Sequence, residues 1–223
     1  MVDRVAHKAS KPETLPDHSN QSKLAMARDC MELMKRLGHM RFTVVGHDRG
    51  ACVAFRLAMD HPAAVERLVV MDSVPIVEAL ERCDERFARL WWHWFFFAQP
   101  TKPEQAINAD PEAWYGISSH KREAMGNEAL AGLGVDRQHD EADRAAGERV
   151  ECPLLVLWAL QDDMGLLYGD PVEVWRSWAK DVRGHALSSG HHMAEEAPEQ
   201  VVAALLDFTQ ARAPRERDAW LRQ

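Results

Sequence analysis

Short apolar runs alternate with amphipathic stretches along most of this chain. Apolar residues recur at helical spacing over residues 22–37, where Gly38 ends the pattern. Four runs predict strands, the last more weakly than the others: 42–45, 68–71, 154–157 and 183–187. Further helices are predicted over 51–59 and 199–210. Strands that alternate with helices predict an α/β fold whose mostly parallel sheet carries helices on both faces.

Residues 75–150 differ from the rest because they contain no clear strand pattern. They are aromatic at first and then helical and charged. We expect a helical cap here, inserted into a core formed by residues 1–74 and 151–223, with Trp91, Phe95 and Phe97 in the core of the cap. No apolar run precedes Ser22, so we expect the opening strands of the sheet to be missing and one edge to be unpaired.

Composition narrows the functional classes. The chain has 223 residues, 46% of them hydrophobic, and a net charge of −8, which disfavours nucleic acid and anionic membranes as partners. Its four cysteines are scattered without metal-ligand spacing, and no leader or apolar run of about 18 residues is present. We expect a cytoplasmic protein with a small-molecule substrate and no metal, and leave open a homodimer.

One segment carries the strongest chemical signal, and it reads Gly46-His47-Asp48-Arg49-Gly50-Ala51. A β-branched run stops at a glycine, turns over one acidic residue and continues into a helical pattern, which is the context of a nucleophile elbow. A carboxylate at its centre suits displacement at saturated carbon through a covalent ester. The alternative is an ordinary glycine-flanked turn in which Asp48 caps the next helix.

Two further positions complete a candidate triad. Asp72 follows the strand at 68–71, and His191 follows the last strand, so the chain order is nucleophile, acid, histidine. His191 would be the general base that activates water, and Asp72 would orient it. Alternatives stay open: His192 for the base, and Asp162 or Asp163 for the acid.

Together these features resemble the fluoroacetate (haloacetate) dehalogenases of the α/β-hydrolase superfamily, over a stretch from about Leu15 to Phe208. The resemblance rests on the elbow and four further motifs: Asp60-His61-Pro62, Trp92-His93-Trp94-Phe95-Phe96, Ala98-Gln99-Pro100, and Gly190-His191 with Glu195-Glu196-Ala197-Pro198. It implies the α/β-hydrolase fold with an inserted cap, no cofactor, and a catalytic triad of Asp48, Asp72 and His191. It also implies that Arg49 binds the substrate carboxylate and that His93 and Trp94 bind the halide. From the residues alone, Arg49 could instead be a charge partner of Asp48.

The chain departs from that family at three places. The opening strands, with the loop that supplies a second oxyanion N–H, have no counterpart. The second carboxylate-binding arginine falls at Cys52. The cap looks shorter between Gly126 and Gly134, and the tyrosine of the halide site falls at Ala129.

The function predicted from these residues is hydrolysis of the carbon–halogen bond in a short 2-haloacid. An epoxide or ester hydrolase of the same fold is the first alternative, although Tyr115 is the one tyrosine of the predicted cap and the related epoxide hydrolases use two. The second alternative is a truncated, non-catalytic family member.

Overall fold

The centre of the molecule is a parallel four-stranded sheet. The computed structural model describes residues 15–110, 114, 129 and 131–210. Its strands, in sheet order, are β1 (Phe42–His47), β2 (Val65–Met71), β3 (Leu154–Ala159) and β4 (Val182–Leu187). Each strand runs parallel to its neighbour, which confirms the predicted α/β class.

Helices cover the sheet on both faces. Those of the described residues are α1 (Lys23–Arg36), α2 (Arg49–Asp60), α3 (Ile76–Glu81), α4 (Glu85–Leu90), α5 (Trp92–Phe97), α6 (Lys102–Ala109), α7 (Arg137–Ala146), α8 (Met164–Tyr168), α9 (Pro171–Arg176), α10 (Met193–Glu196) and α11 (Pro198–Gln210). A short 3₁₀ turn precedes α1, and a π-helical turn, Gly132–Asp136, leads into α7.

Residues 68–71 of β2 and all of β3 are apolar because both faces of the sheet are buried there. Leu68 and Val70 of β2 pack into a core with α1, α2 and α9. Val69 and Met71, which point the other way, pack into a second core with α11. An alternating apolar and polar pattern would have left one face open to water.

β2 begins at Val65, three residues before its apolar run. Arg67 pairs with Thr43 of β1, so backbone pairing with a neighbour extends the strand into polar sequence. α2 likewise begins at Arg49, two residues before its predicted start. Boundaries of this kind depend on neighbouring elements rather than on local hydrophobicity.

The described residues between β2 and β3 form helices joined by short loops, as predicted, and no strand beyond a single bridge that joins Val150 to Ala179. Buried Arg56 of α2 pairs with Asp143 of α7 and so ties this segment to the sheet's own helices. The division into a core and a cap stays a prediction. Tyr115, Gly126 and part of the predicted shortening lie outside the described residues.

β1 is the outer strand of the described sheet, and Val45 on it is 43% exposed. Among the helices that the structure describes, none combines the length and apolar character needed to cross a membrane.

Candidate active site

Asp48 occupies a strained turn between β1 and α2. Its φ is +53° and its ψ is −123°, a conformation that costs a non-glycine residue energy and is often found at functional sites. Its backbone N–H donates to the Met71 carbonyl at 3.0 Å, which fixes the turn against the end of β2. Asp48 is exposed, so its carboxylate is accessible to a substrate.

Gly46 makes this turn possible. A Cβ atom at position 46 would lie 2.3 Å from the Gly50 carbonyl oxygen and 2.6 Å from the Ala51 Cα atom. Both are backbone atoms that cannot rotate away. A Cβ atom at Gly50 would meet nothing within 4 Å. The two glycines of the motif are therefore not equivalent: only Gly46 is required for the close approach.

Asp72 is placed by the end of β2. It also has a positive φ, +52°, and its side chain is fully buried. Its Oδ1 accepts a hydrogen bond from the Ala159 backbone N–H at 3.0 Å. Its Oδ2 lies 3.0 Å from His191 Nδ1. One oxygen of the buried carboxylate is thus held by β3, and the other oxygen faces the imidazole.

His191 is also in contact with Asp162, whose Oδ2 lies 2.9 Å from the same Nδ1 atom. The hydrogen bond with Asp72 raises the pKa of His191 to about 9, and the nearby charges of Asp48, Asp72 and Asp162 act in the same direction against the opposing effect of burial. The structure therefore brings Asp48, Asp72 and His191 together at one edge of the sheet.

The structure distinguishes among the alternatives that the sequence left open for the acid and the base of the triad. Asp162 joins Asp72 at His191, whereas no contact between Asp163 and His191 occurs among the described residues. His192 lies beside His191, with ring centroids 5.6 Å apart. The atoms of His47, Asp72 and His191 that could bind a metal lie within 4.8 Å of one another, and the hydrogen bond between Asp72 and His191 accounts for the closeness of two of them.

A pocket opens in front of Asp48. Its volume of about 60 Å³ leaves room for a few water molecules, which matches a very small substrate. Arg49 and Trp94, to which the resemblance assigns substrate and halide binding, line it. His93 lies close enough to Arg49 and Asp48 for their charges to act on it, and burial together with the Arg49 charge lowers its pKa. A neutral imidazole keeps one N–H available for donation.

Several lining residues were not singled out by sequence reasoning. They come from distant parts of the chain: Lys23, Ser73, Val74, Ile76, Ala79, Gly132 and Leu133. Trp91 and Phe97 were assigned to the core of the cap, and they line the pocket as well. Trp91 lies just before α5 and Phe97 ends it, each three residues from Trp94. Spacing of three residues is typical of one helical face and is the signal that could have identified them.

Cys52 lies in the same pocket at the position where the resemblance places a second arginine. Its Sγ atom contacts Ser73 Oγ at 3.5 Å. Burial raises its pKa to about 12, so the thiol is uncharged. It cannot supply the positive charge of an arginine. Ala129, at the tyrosine position, also lines the pocket and offers no hydrogen-bond donor from its side chain.

Comparison with known proteins identifies the class first. Residues 1–96 match the family model of the alpha/beta hydrolase fold. A solved α/β-hydrolase structure from Nostoc sp. superposes with a TM-score of 0.85 at 36% identity, covering 91% of this chain and 78% of that one. The chain is a hydrolase of the α/β-hydrolase fold.

The family within that class follows from a curated relative. A fluoroacetate dehalogenase from Burkholderia sp. is 34% identical over 227 residues, which is 90% of this chain and 74% of that protein. A soluble epoxide hydrolase from Corynebacterium sp. is 27% identical over 83% of this chain and 73% of its own length. The chain belongs to the α/β-hydrolases of the haloacetate dehalogenase type.

Proposed function

We propose that this protein hydrolyses the carbon–halogen bond of a short 2-haloacid such as a haloacetate. The observation that carries the proposal is the exposed carboxylate of Asp48 on a strained turn, next to a histidine that is hydrogen-bonded to buried Asp72. A hydroxyl at this turn would attack a carbonyl, whereas a carboxylate can displace a leaving group from saturated carbon. The similarity to a fluoroacetate dehalogenase supports the same chemistry.

The first step forms the ester. An oxygen of Asp48 attacks the carbon that bears the halogen, the carbon–halogen bond breaks, and the halide leaves with its electron pair. Arg49 would bind the substrate carboxylate through its planar guanidinium, which matches two oxygens. N–H groups of His93 and the Trp94 indole would stabilise the charge that develops on the halide.

The second step cleaves the ester. His191 takes a proton from water at Nε2, the ring nitrogen that the carboxylates do not contact, and the hydroxide attacks the ester carbonyl of Asp48. The backbone N–H of Arg49 would stabilise the oxyanion. Collapse releases a 2-hydroxy acid and restores the Asp48 carboxylate. The net reaction consumes one water and yields the hydroxy acid, the halide and a proton, with no cofactor.

Halide release tests this function directly. We expect the protein to release halide from chloroacetate or fluoroacetate, and Asp48→Asn to lose at least about 1,000-fold in rate because an amide is a poor nucleophile. Free halide is measured by ion chromatography, and circular dichroism checks that the variant is folded. Release by Asp48→Asn at the wild-type rate would contradict the proposal.

Isotope labelling tests the covalent step. One turnover in heavy-oxygen water should place the label on the Asp48 side chain, since water attacks the ester at the carboxyl carbon, and mass spectrometry of the peptide detects it. Label found in the hydroxy acid instead would mean that water attacks the substrate directly.

An epoxide hydrolase is the second candidate, and the 27% identical soluble epoxide hydrolase supports it. Both reactions begin with attack by a carboxylate at saturated carbon. Incubation with a small terminal epoxide, followed by measurement of diol, separates them. Diol formation without halide release would replace the first candidate with the second, and no product from either substrate would favour the non-catalytic alternative.

A further inference from the structure

The imidazole of His191 faces two carboxylates through the same nitrogen. Nδ1 lies 3.0 Å from Asp72 Oδ2 and 2.9 Å from Asp162 Oδ2. Nδ1 carries at most one proton, so a single N–H must be shared between two acceptors. A triad with one orienting acid requires only one of these contacts.

The two carboxylates reach His191 from neighbouring strands. Asp72 directly follows β2, and Asp162 follows β3, which lies between β2 and β4. His191 itself follows β4. Since the strands are parallel, their carboxyl ends share one edge of the sheet, and this places both acids beside the imidazole.

The surroundings of the two carboxylates, Asp72 and Asp162, differ. The Asp72 side chain is fully buried, and the Ala159 N–H fixes its other oxygen. The Asp162 side chain is 24% exposed. The segment that carries it is held by backbone hydrogen bonds from Leu160 to Leu187 and from Gln161 to Ser189, at 2.9 Å and 3.0 Å. Both carboxylates are thus placed by fixed backbone rather than by a mobile loop.

We propose that Asp162 is a second positioning residue of this site, which shares the Nδ1–H of His191 with Asp72 and balances the imidazolium together with it. During ester hydrolysis the proton from water goes to Nε2, the Nδ1–H stays on Nδ1, and both carboxylates stay ionised. Two negative charges beside one imidazolium stabilise it more than one does. Either carboxylate then holds the ring in orientation when the other is removed.

Other charged or titratable groups also face His191 and set the background of its titration. They are Asp48 and His47 at the end of β1, His93 on α5, and the adjacent His192. None of them contacts Nδ1 among the described residues. Replacing Asp162 should therefore change the imidazole through one identified contact.

A titration of His191 by NMR tests the proposal on the full chain without substrate. Asp162→Asn is expected to lower the pKa of His191 by about one from its value near 9, because an opposite charge within hydrogen-bond distance has been neutralised. His191→Gln assigns the signal. Asp163→Asn is the matched control, since it removes the same charge one residue further along, and should leave the titration unchanged.

The effect on rate depends on the proposed dehalogenation and provides a second readout. The rates are compared above about pH 9, where His191 is neutral and able to take a proton in every variant. There we expect about a tenfold loss in halide release for Asp162→Asn and a comparable or larger loss for Asp72→Asn. The double variant Asp72→Asn/Asp162→Asn should lose more than the product of the two single losses. The pH at which the rate of Asp162→Asn is half-maximal should fall with the pKa of His191.

Two outcomes would overturn the inference: an unchanged His191 titration in Asp162→Asn, or an Asp72→Asn variant as inactive as the double variant. If buried Asp72→Asn fails to fold, the single Asp162→Asn titration still decides. If the wild type releases no halide, the proposed function fails while the titration still reports whether Asp162 acts on the ring.

Discussion

The turn that carries Asp48 and the helical segment between β2 and β3 contribute to the same pocket in different ways. Backbone geometry places Asp48: a strained turn, a close approach at Gly46 and a hydrogen bond to Met71. Side-chain packing places Trp94: its ring stacks on Trp91 with centroids 5.4 Å apart and meets the edge of Phe87 at 5.8 Å.

This contrast predicts that the two regions respond differently to amino-acid substitution. A turn fixed by backbone contacts should fail abruptly when one atom is added, because backbone cannot rotate away. An aromatic cluster should lose function gradually, because neighbouring rings repack. The carboxylate proposed to react therefore lies on the part of the site with the least freedom, and the indole proposed to bind the halide lies on the part that can vary.

The largest expected effect concerns the link between the two regions. Arg56 of α2 is buried and pairs with Asp143 of α7 and with Asp60, the latter at 2.8 Å. We expect Arg56→Met to lower the free energy of unfolding by about 3 kcal/mol, because it leaves two partly buried carboxylates without their cation. Chemical denaturation measures the change.

Arg176→Met is the matched control. Arg176 also pairs with a carboxylate, Glu173, but both side chains are about 60% exposed. Its loss should cost no more than about 0.5 kcal/mol. Equal effects of the two substitutions would mean that the link between α2 and α7 does not stabilise the molecule.

The glycines of the elbow give the next largest effect. Gly46→Ala should lower the free energy of unfolding by about 2 kcal/mol, because its Cβ would lie 2.3 Å from a backbone oxygen. Gly50→Ala places the same atom in open space within α2 and should be neutral or stabilise by roughly 0.5 kcal/mol. Thermal melts of both variants test the pair, and a stable Gly46→Ala would contradict the assigned close approach.

The same contrast explains how much could be predicted from the sequence. The sheet, the elbow and the positions of Asp72 and His191 follow from local patterns, since a strand, its glycine and the next helix are contiguous in the chain. The double contact of His191 with Asp72 and Asp162 could not be predicted, because it depends on the order of β2, β3 and β4 in space. The pocket role of Lys23 was missed for the same reason, because Lys23 is distant in the chain from the other residues that line the pocket.

Trp94 should show the smaller effect expected for the aromatic region. We expect Trp94→Phe to lower the rate of halide release about tenfold, since it keeps a ring in the cluster but removes the indole N–H proposed to face the halide. Trp92→Phe is the control, because Trp92 is 47% exposed and packs on Phe96 and Trp114. If both variants keep the wild-type rate, the indole N–H of Trp94 is not a halide donor.

The smallest expected effect is a dependence of stability on pH at His191. Its pKa is raised to about 9 in the folded protein, above the ordinary value of 6.5, so its contribution to stability is fully present below about pH 6.5 and is lost as the pH rises through about 9. The effect should be small because the side chain is 38% exposed, so solvent screens its charge. Melting temperatures of the wild type should therefore decline slightly between those pH values relative to His191→Gln, in which the titrating group is absent. Parallel curves for the two proteins would show that the contacts with Asp72 and Asp162 do not hold the imidazolium in the folded state.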